Sequence, residues 1–403
     1  MDNVSTSSML IALLFWLALG VILYTYFGYP LLISIISRIR PKSEAYKQQT
    51  PYVTLLIAAY NEEVVIEDKL KNSLSIEYPK EKLQILVVTD GSTDRTPEIV
   101  RKYTNLGMEL LHQPERRGKM AAINRAMAHV QGEIIVFSDA NNYYRPDTIN
   151  KLIAPFSNPE IGAVSGAKVI DQGDGDLGAS EGLYWKYESY IKKQESRLGC
   201  CTSVAGEILA IRKSAYITPP NKIINDDFYM AMQIIRQGYR LVYVPEAKSS
   251  ERVSLTARDE IIRRTRINAG RYQAITMAGQ LLPFNRPVLV WQIISHKFLR
   301  PVVPFCMISI AILNLAAVLY PPKGGGVIYL GIPFSFIMLG LQVLFYMLAW
   351  FGARSGKQEN QNKLVRLLYL PTFLTNSNFA ALKGFFQFLR GQQPHIWERI
   401  QRR

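Results

Sequence analysis

Three hydrophobic patterns follow one another along the chain. From Met9 to Ile36 apolar residues run almost without a charge, long enough to cross a bilayer with some tilt. From Tyr52 to Val244 they fall into short β-branched runs separated by amphipathic stretches. The runs predict strands at Tyr52–Ala59, Gln84–Val88, Glu109–His112, Glu133–Phe137, Ile161–Gly166, Val204–Ile211 and Arg240–Val244. Helical patterns lie between them, so the alternation predicts βαβ units and a mostly parallel sheet. From Leu299 the long apolar runs return. Leu299–Leu319 and Val327–Trp350 read as spans. Leu367–Leu389 carries Pro371, Asn376, Asn378 and Lys383, which are costly at a bilayer centre, and it reads as an interfacial or re-entrant element.

The fold class is therefore α/β, Rossmann-like, flanked by transmembrane helices. The boundaries expected are a first transmembrane helix in 1–42, a linker in 43–51, a globular domain in 52–250, basic interfacial helices in 251–298, and membrane segments with a basic tail in 299–403. The charge pattern orients them. Asp2 precedes the first span, and Arg38, Arg40 and Lys42 follow it, which places the N-terminus outside and the globular domain in the cytoplasm of a multi-pass protein. A signal peptide fits poorly, because no Lys or Arg precedes an apolar run too long for an h-region.

The formal net charge of +15 points to an anionic partner. Many of the basic residues flank the apolar segments, so the partner expected is the lipid bilayer and not nucleic acid. Cys200, Cys201 and Cys306 form no disulfide framework or zinc spacing.

The chemistry concentrates between Gln84 and Asn142. Two apolar strands each end in an acid, Asp90 and Asp139, with Gly118-Lys119 between them. Ligands of open α/β sheets bind outside the carboxyl ends of strands. One such Asp is an ordinary turn residue. Two, with a Gly-Lys between, suit a hard cation and phosphates. Asp226 and Asp227 open a later helix, where they suit the dipole as capping residues and also suit acid–base work, since adjacent like charges raise one pKa. The aromatics Tyr184, Trp185, Tyr187 and Tyr190 read as core, with a sugar-stacking surface as the alternative. Helix Glu260–Ala274 carries Arg263, Arg264, Arg266 and Arg271, which suggests an anion partner.

In this order the motifs resemble those of the membrane-embedded, inverting glycosyltransferases of family 2, the group of cellulose, chitin, hyaluronan and poly-N-acetylglucosamine synthases. Ala59-Tyr60-Asn61-Glu62-Glu63 is similar to the nucleotide-pocket entry, Asp90-Gly91-Ser92-Thr93-Asp94 to DGSxD, and Gly118-Lys119 to the phosphate-side Gly-Lys. Asp139-Ala140-Asn141 stands at the metal-binding DxD, with Asn141 replacing the second Asp. Asn225-Asp226-Asp227 stands at the Glu-Asp base motif, Arg263–Ile267 at QxxRW, and Trp397–Arg402 at the C-terminal W-x-x-T-x-R. Of QxxRW only Arg266 is kept; Arg263 and Ile267 replace Gln and Trp, and Arg263 with Arg264 adds positive charge at the acceptor rim.

The resemblance implies a GT-A domain and Mg²⁺ or Mn²⁺ on Asp139 and Asn141. It implies Asp227 as base with Asp226 beside it. Ala59, Tyr60, Glu62, Asp90, Lys119, Arg266, Trp397 and Arg402 would lie around the nucleotide-sugar donor, a UDP-sugar first among the options. The reaction implied is inverting sugar transfer to a glycan or lipid-linked acceptor, in exopolysaccharide or cell-surface polysaccharide synthesis at the plasma membrane. Two alternatives stand beside it: a transferase adding one sugar to a lipid or lipid-linked oligosaccharide, and a membrane scaffold with a degenerate transferase domain.

Overall fold

The computed structural model describes residues 5–39, 45–170, 175–252, 256–322, 326–354 and 363–391. Trp397 and Arg402 lie outside the described residues. The strands are β1 Val53–Ala59, β2 Leu83–Asp90, β3 Met108–Gln113, β4 Ile134–Asp139, β5 Tyr143–Tyr144, β6 Ile161–Ile170, β7 Leu209–Arg212 and β8 Arg240–Glu251. They form one sheet in the order β3-β2-β1-β4-β7-β6-β8-β5.

The sheet is mixed and, as expected, mostly parallel, with β7 and β5 running against the other six strands. The half built from β3, β2, β1 and β4 is parallel throughout. Strand β7 then runs antiparallel to both β4 and β6, and β5 antiparallel to β8, while β6 and β8 pair in parallel. The predicted strand Val204–Ile211 forms only from Leu209, because Gly206–Ile208 coils into a 3₁₀ turn that carries Glu207.

Every residue of β1 and β2 is buried. Strands covered on both faces read as continuous apolar runs, which is the pattern the sequence carries. One face packs Leu56, Leu86, Ile123 and Phe137. The other packs Leu55, Ile57, Val87 and Ile149.

The helices, in chain order, are α1 Thr6–Leu23, α2 Tyr29–Ser37, α3 Ile66–Leu74, α4 Thr96–Arg101, α5 Lys119–Ala126, α6 Thr148–Ile153, α7 Gly175–Leu198, α8 Asp226–Arg236, α9 Ala257–Thr276, α10 Ala278–Leu281, α11 Pro287–Ile293, α12 Val303–Leu319, α13 Phe334–Arg354 and α14 Lys363–Leu389. A π-helical segment, Tyr24–Gly28, joins α1 to α2. Among the described residues three helical stretches are long and apolar enough to cross a membrane: Thr6–Ser37, Pro287–Leu319 and Phe334–Arg354. Ala12, Phe15 and Ala18 of α1 pack against Ile310 and Ala317 of α12. Leu13, Leu17 and Ile312 point outward, each more than 60% exposed, an apolar surface that suits lipid.

Helix α14 is not among the three. It lies against α9, and Gly384 marks the crossing. A Cβ there would stand 2.8 Å from the Thr265 carbonyl oxygen and 3.0 Å from the Ala269 nitrogen, so only glycine allows this approach. Tyr272 of α9 packs edge-on against Phe385 of α14.

Candidate functional site

The register of the parallel half brings the first motifs together. Ala58 pairs with Asp139 and Ala59 with Thr89, so β1, β2 and β4 end side by side, at Tyr60, Asp90 and Asp139. The loops that follow are laced to one another. Asn61, in the left-handed region at φ 52°, donates its backbone N–H to Ser92 Oγ at 3.1 Å and accepts at Oδ1 from the Thr93 N–H at 2.8 Å. The N–H of Glu62 donates to Thr96 Oγ1 at 2.8 Å, and that of Glu63 to Asp94 Oδ2 at 3.0 Å. Asn61 through Asp94 thus holds the shape of the crevice wall.

Asp90 is buried, and its carboxylate accepts from the backbone N–H of Arg117 at 3.1 Å and of Gly118 at 2.6 Å. In this way it fixes the loop that launches α5. Gly91, at φ +66°, lies where a Cβ would stand 2.6 Å from Arg116 Cβ and 2.8 Å from its backbone. Close packing of the two loops requires glycine there. Arg116 lays its guanidinium over the Tyr60 ring, 3.9 Å from the centroid. Ala59, Tyr60, Asp90 and Lys119 line one concavity with Val88, Arg116 and Gly118. Glu62 stands in the adjoining loop, outside that lining.

Lys119 joins this concavity to the acids. Its Nζ donates to Asp139 Oδ1 at 2.8 Å and lies 3.6 Å from Asp226 Oδ2. Burial opposes its charge, but Asp139 and Asp226 outweigh burial and hold the ammonium above the ordinary lysine range. Asp227 behaves in the opposite way. Burial, then the neighbouring charge of Asp226, push its carboxyl up to about 6, although Oδ1 accepts the Phe228 N–H at 2.7 Å. Gly206 abuts it, its virtual Cβ 3.0 Å from Asp227 Cβ. Arg266 reaches the same acids from α9. Burial lowers its pKa, and Asp226 and Asp139 act against that.

The turn that carries Asp226 and Asp227 is held from α9. Asn225 Nδ2 donates to the Ile267 carbonyl at 2.9 Å, the Ile224 N–H donates to Gln273 Oε1 at 3.0 Å, and Gln273 Nε2 donates to the Lys222 carbonyl at 3.1 Å. Asn225, not either aspartate, stands at the N-cap of α8, and its side chain is turned to α9. Asp226 and Asp227 sit in the first turn of α8, where Asp227 also accepts the Phe228 N–H.

Sequence reasoning missed Lys69. This lysine is fully buried on α3 and donates from Nζ to Ser138 Oγ and to the Asn142 carbonyl, each at 2.7 Å. Asn142 continues the network through Nδ2 to the Glu207 carbonyl at 2.9 Å and to Ser249 Oγ at 2.7 Å. The turn that presents Asp139 is thus pinned from below, and tied to the turn beside Asp227. Burial pulls the Lys69 ammonium down to about 7, with Asp139 acting to raise it. The signal was available: Lys69 sits among Ile66, Leu70 and Ser73 on the buried stripe of α3, where a charge needs partners.

One further expectation changes, and one reading as core is met. Arg263 and Arg264 do not present free charge at the rim, since both close on Glu260. Arg263 donates to it through Nε at 2.9 Å and Nη2 at 2.7 Å, and Arg264 through Nε at 2.7 Å. Burial works against the Glu260 carboxylate, yet the two guanidinium groups keep it well below the usual range. The α7 aromatics are also engaged. Tyr184 packs against Phe373 with Arg264 over its ring, and the Trp185 ring is faced by the ammonium groups of Lys168 and Lys192 at 5.2 and 5.7 Å.

Among the described residues no group of three or more His, Cys, Asp or Glu side chains could by itself hold a metal ion. The donor set that remains is Asp139 with the amide of Asn141 at one turn. It fits Mg²⁺ or Mn²⁺, which take one or two protein oxygens and complete their shell with phosphates and water.

Comparison with known proteins agrees with this arrangement. Residues 54–217 match the model of the family "Glycosyl transferase family 2". Poly-beta-1,6-N-acetyl-D-glucosamine synthase of Staphylococcus aureus is 29% identical over 201 residues, 48% of this chain and 48% of that protein. The Staphylococcus epidermidis synthase is 28% identical over 206 residues, 50% of each. The chain is thus matched over about half the length of these curated relatives. A solved mannosyltransferase, PcManGT from Pyrobaculum calidifontis in complex with GDP-Man and Mn²⁺, superposes with a TM-score of 0.71 at 24% identity, covering 94% of this chain and 99% of that one. The sequence match to glycosyl transferase family 2 is thus confined to residues 54–217; the fold is GT-A with a mixed sheet, and among the described residues it is accompanied by three helical stretches long and apolar enough to span a membrane.

Proposed function

We propose that the protein is a membrane-bound, inverting glycosyltransferase that moves a sugar from a nucleotide diphosphate donor to a glycan or lipid-linked acceptor. The observation that carries this reading is the meeting of Lys119 with Asp139 and Asp226, beside a raised Asp227 and under Arg266. The nucleotide lies in the concavity of Ala59, Tyr60 and Asp90, with Glu62 in its entry loop. Trp397 and Arg402 belong to the donor side by resemblance alone.

In the reaction Asp227 accepts the proton of the attacking hydroxyl. Its pKa near 6 keeps it ionised at neutral pH yet basic enough to take a proton. Asp226 keeps that pKa up. Lys119 and Arg266 face the diphosphate and offset the charge that grows as the sugar–phosphate bond breaks. Asp139 and Asn141 would hold Mg²⁺ or Mn²⁺, which supplies Lewis-acid neutralisation of the same charge.

The relatives named as poly-beta-1,6-N-acetyl-D-glucosamine synthases support exopolysaccharide synthesis as the setting. The donor is a UDP- or GDP-sugar. Three candidate spans support a multi-pass protein of the plasma membrane. With the N-terminus outside, three crossings leave the sheet domain and the tail in the cytoplasm, and α14 lies along the boundary. Transfer of one sugar to a lipid-linked acceptor is the second reading, favoured by the loss of the flat indole at Ile267.

The test is incubation of the purified full chain with UDP- and GDP-sugars, Mn²⁺ and candidate acceptors, with products sized over time. Long chains beside unused acceptor support the synthase. Single additions under every condition support the second reading. No transfer from any donor, with an intact fold, overturns both.

A further inference from the structure

The turn just before α12, within the candidate span Pro287–Leu319, holds a group of charges that the transfer reaction does not use. Lys297 lies within electrostatic reach of Arg271 on α9, of Arg300, and of Lys192 on α7. Two carboxylates belong to this group: Glu188 pairs with two of the cations directly, and Glu195 is joined to it through His296. Glu188 takes Arg300 Nη1, His296 Nε2 at 3.3 Å and Lys297 Nζ at 3.9 Å. Glu195 is occupied by His296 Nδ1 at 2.7 Å, the Tyr29 hydroxyl and the Thr202 N–H at 2.9 Å.

The remaining cations are under-supplied with acceptors. Lys192 is 2% exposed and, among the described residues, has no hydrogen bond or ion pair; its ammonium faces only the rings of Trp185 and Tyr243. Among the described residues the buried Arg300 Nε has no acceptor, and Arg271 donates to Asn268 Oδ1 at 3.2 Å and to no carboxylate. Four cations against Glu188 and Glu195 leave two positive charges over. Charges enclosed in this way are costly unless an anion completes them.

The location selects the anion. The Tyr26 hydroxyl, in the π-helical segment that ends α1, accepts from Asn378 of α14 at 3.2 Å, and the Tyr187 hydroxyl donates to the Tyr26 carbonyl at 2.8 Å. These contacts close the junction between the sheet domain and the apolar helices, the level at which lipid phosphates lie. Arginine with lysine is the usual donor set for phosphate.

We propose that the cluster of Lys192, Arg271, Lys297 and Arg300 binds the phosphate of a membrane lipid. The two surplus charges match a dianionic phosphomonoester, as on a polyprenyl phosphate, better than a singly charged phosphodiester headgroup. The inference rests on the membrane-bound transferase reading and deepens it, since a lipid held here lies beside the acceptor side of the site.

The experiment uses the delipidated full chain in detergent, with native mass spectrometry reading bound lipid. The probes are polyprenyl phosphate, phosphatidylglycerol and inorganic phosphate. The variants are Arg271→Gln, which leaves the Glu188 pairs untouched, and Lys297→Gln with Lys297→Arg as its charge-keeping control. The expected result is one tightly held polyprenyl phosphate, weakened roughly tenfold or more in Arg271→Gln and Lys297→Gln and kept in Lys297→Arg. Equal, variant-sensitive binding of phosphatidylglycerol assigns the cluster to lipid headgroups generally and upholds the site. Binding that both glutamine variants retain, or binding of inorganic phosphate with no lipid, overturns it. Nucleotide-sugar transfer is measured in parallel. A wild type that holds lipid phosphate but transfers no sugar sinks only the transferase reading, and one that transfers sugar but holds no lipid sinks only this site.

Discussion

Removing the charge of Asp226 tests how the base is tuned. Asp227 rises from an ordinary 3.8 to about 6, and the causes are ordered: burial first, the Asp226 charge second. The whole rise corresponds to roughly 3 kcal/mol at about 1.36 kcal/mol per pKa unit. Asp226→Asn keeps the shape and removes only the second cause. Because burial is the larger part, most of the rise survives, and the variant's pKa falls to between about 5 and 6. The working form of Asp227 is the carboxylate, so activity is lost as pH falls through its pKa. The wild-type profile of kcat/KM against pH therefore has an acid limb near 6, and Asp226→Asn moves that limb down by less than about one pH unit. Initial rates from pH 4.5 to 8.5, with the donor saturating and Mn²⁺ fixed, give the comparison. A limb that drops to the ordinary aspartate value would mean that charge, not burial, does most of the tuning. A limb near pH 6 that persists in Asp227→Asn would take the base role away from Asp227 altogether.

Asp227→Asn keeps nucleotide-sugar binding, measured by calorimetry, and loses transfer by roughly two to four orders of magnitude. Chelator abolishes activity and Mg²⁺ or Mn²⁺ restores it, with Asp139→Asn weakening Mn²⁺ binding read by electron paramagnetic resonance; full activity in chelator would contradict the metal assignment. Lys69→Met leaves Ser138 and the Asn142 carbonyl without their buried donor, so thermal unfolding reports a loss of about 1–3 kcal/mol, together with weaker Mn²⁺ binding at Asp139. Gly384→Leu forces α14 away from Thr265 and Ala269 and lowers kcat more than donor affinity, whereas equal loss of both would point to general unfolding.

The parallel half of the fold was legible because β1 and β2 are covered on both faces, and such strands can only be written as unbroken apolar runs. Asp90 and Asp139 followed from it, since strand ends set the crevice. The antiparallel β7 was not legible: it starts only after the 3₁₀ turn at Gly206–Ile208, which in sequence looks like a Gly-Glu interruption inside one strand, and alternation of apolar residues carries no strand direction. The closure of Arg263 and Arg264 on Glu260 was hidden for another reason. Two guanidinium groups three and four residues from one carboxylate read as a basic helix until packing shows which way they fold. Lys69 was readable in principle, as the one charge on the buried stripe of α3, but its partners lie about 70 residues away in sequence.

Helix α9 touches the turn carrying Asp227 on one flank and α14 on the other. On the proposed topology and the proposed role of Asp227, the acid–base centre is mechanically continuous with an element at the edge of the bilayer, through a close glycine contact at Gly384. Acyl-chain length and lateral pressure then become inputs to the chemistry. A thinner membrane that re-tilts α14 reaches Asn225 through α9 without disturbing the sheet, so the same donor pocket can run fast or slow according to the lipid in which it sits.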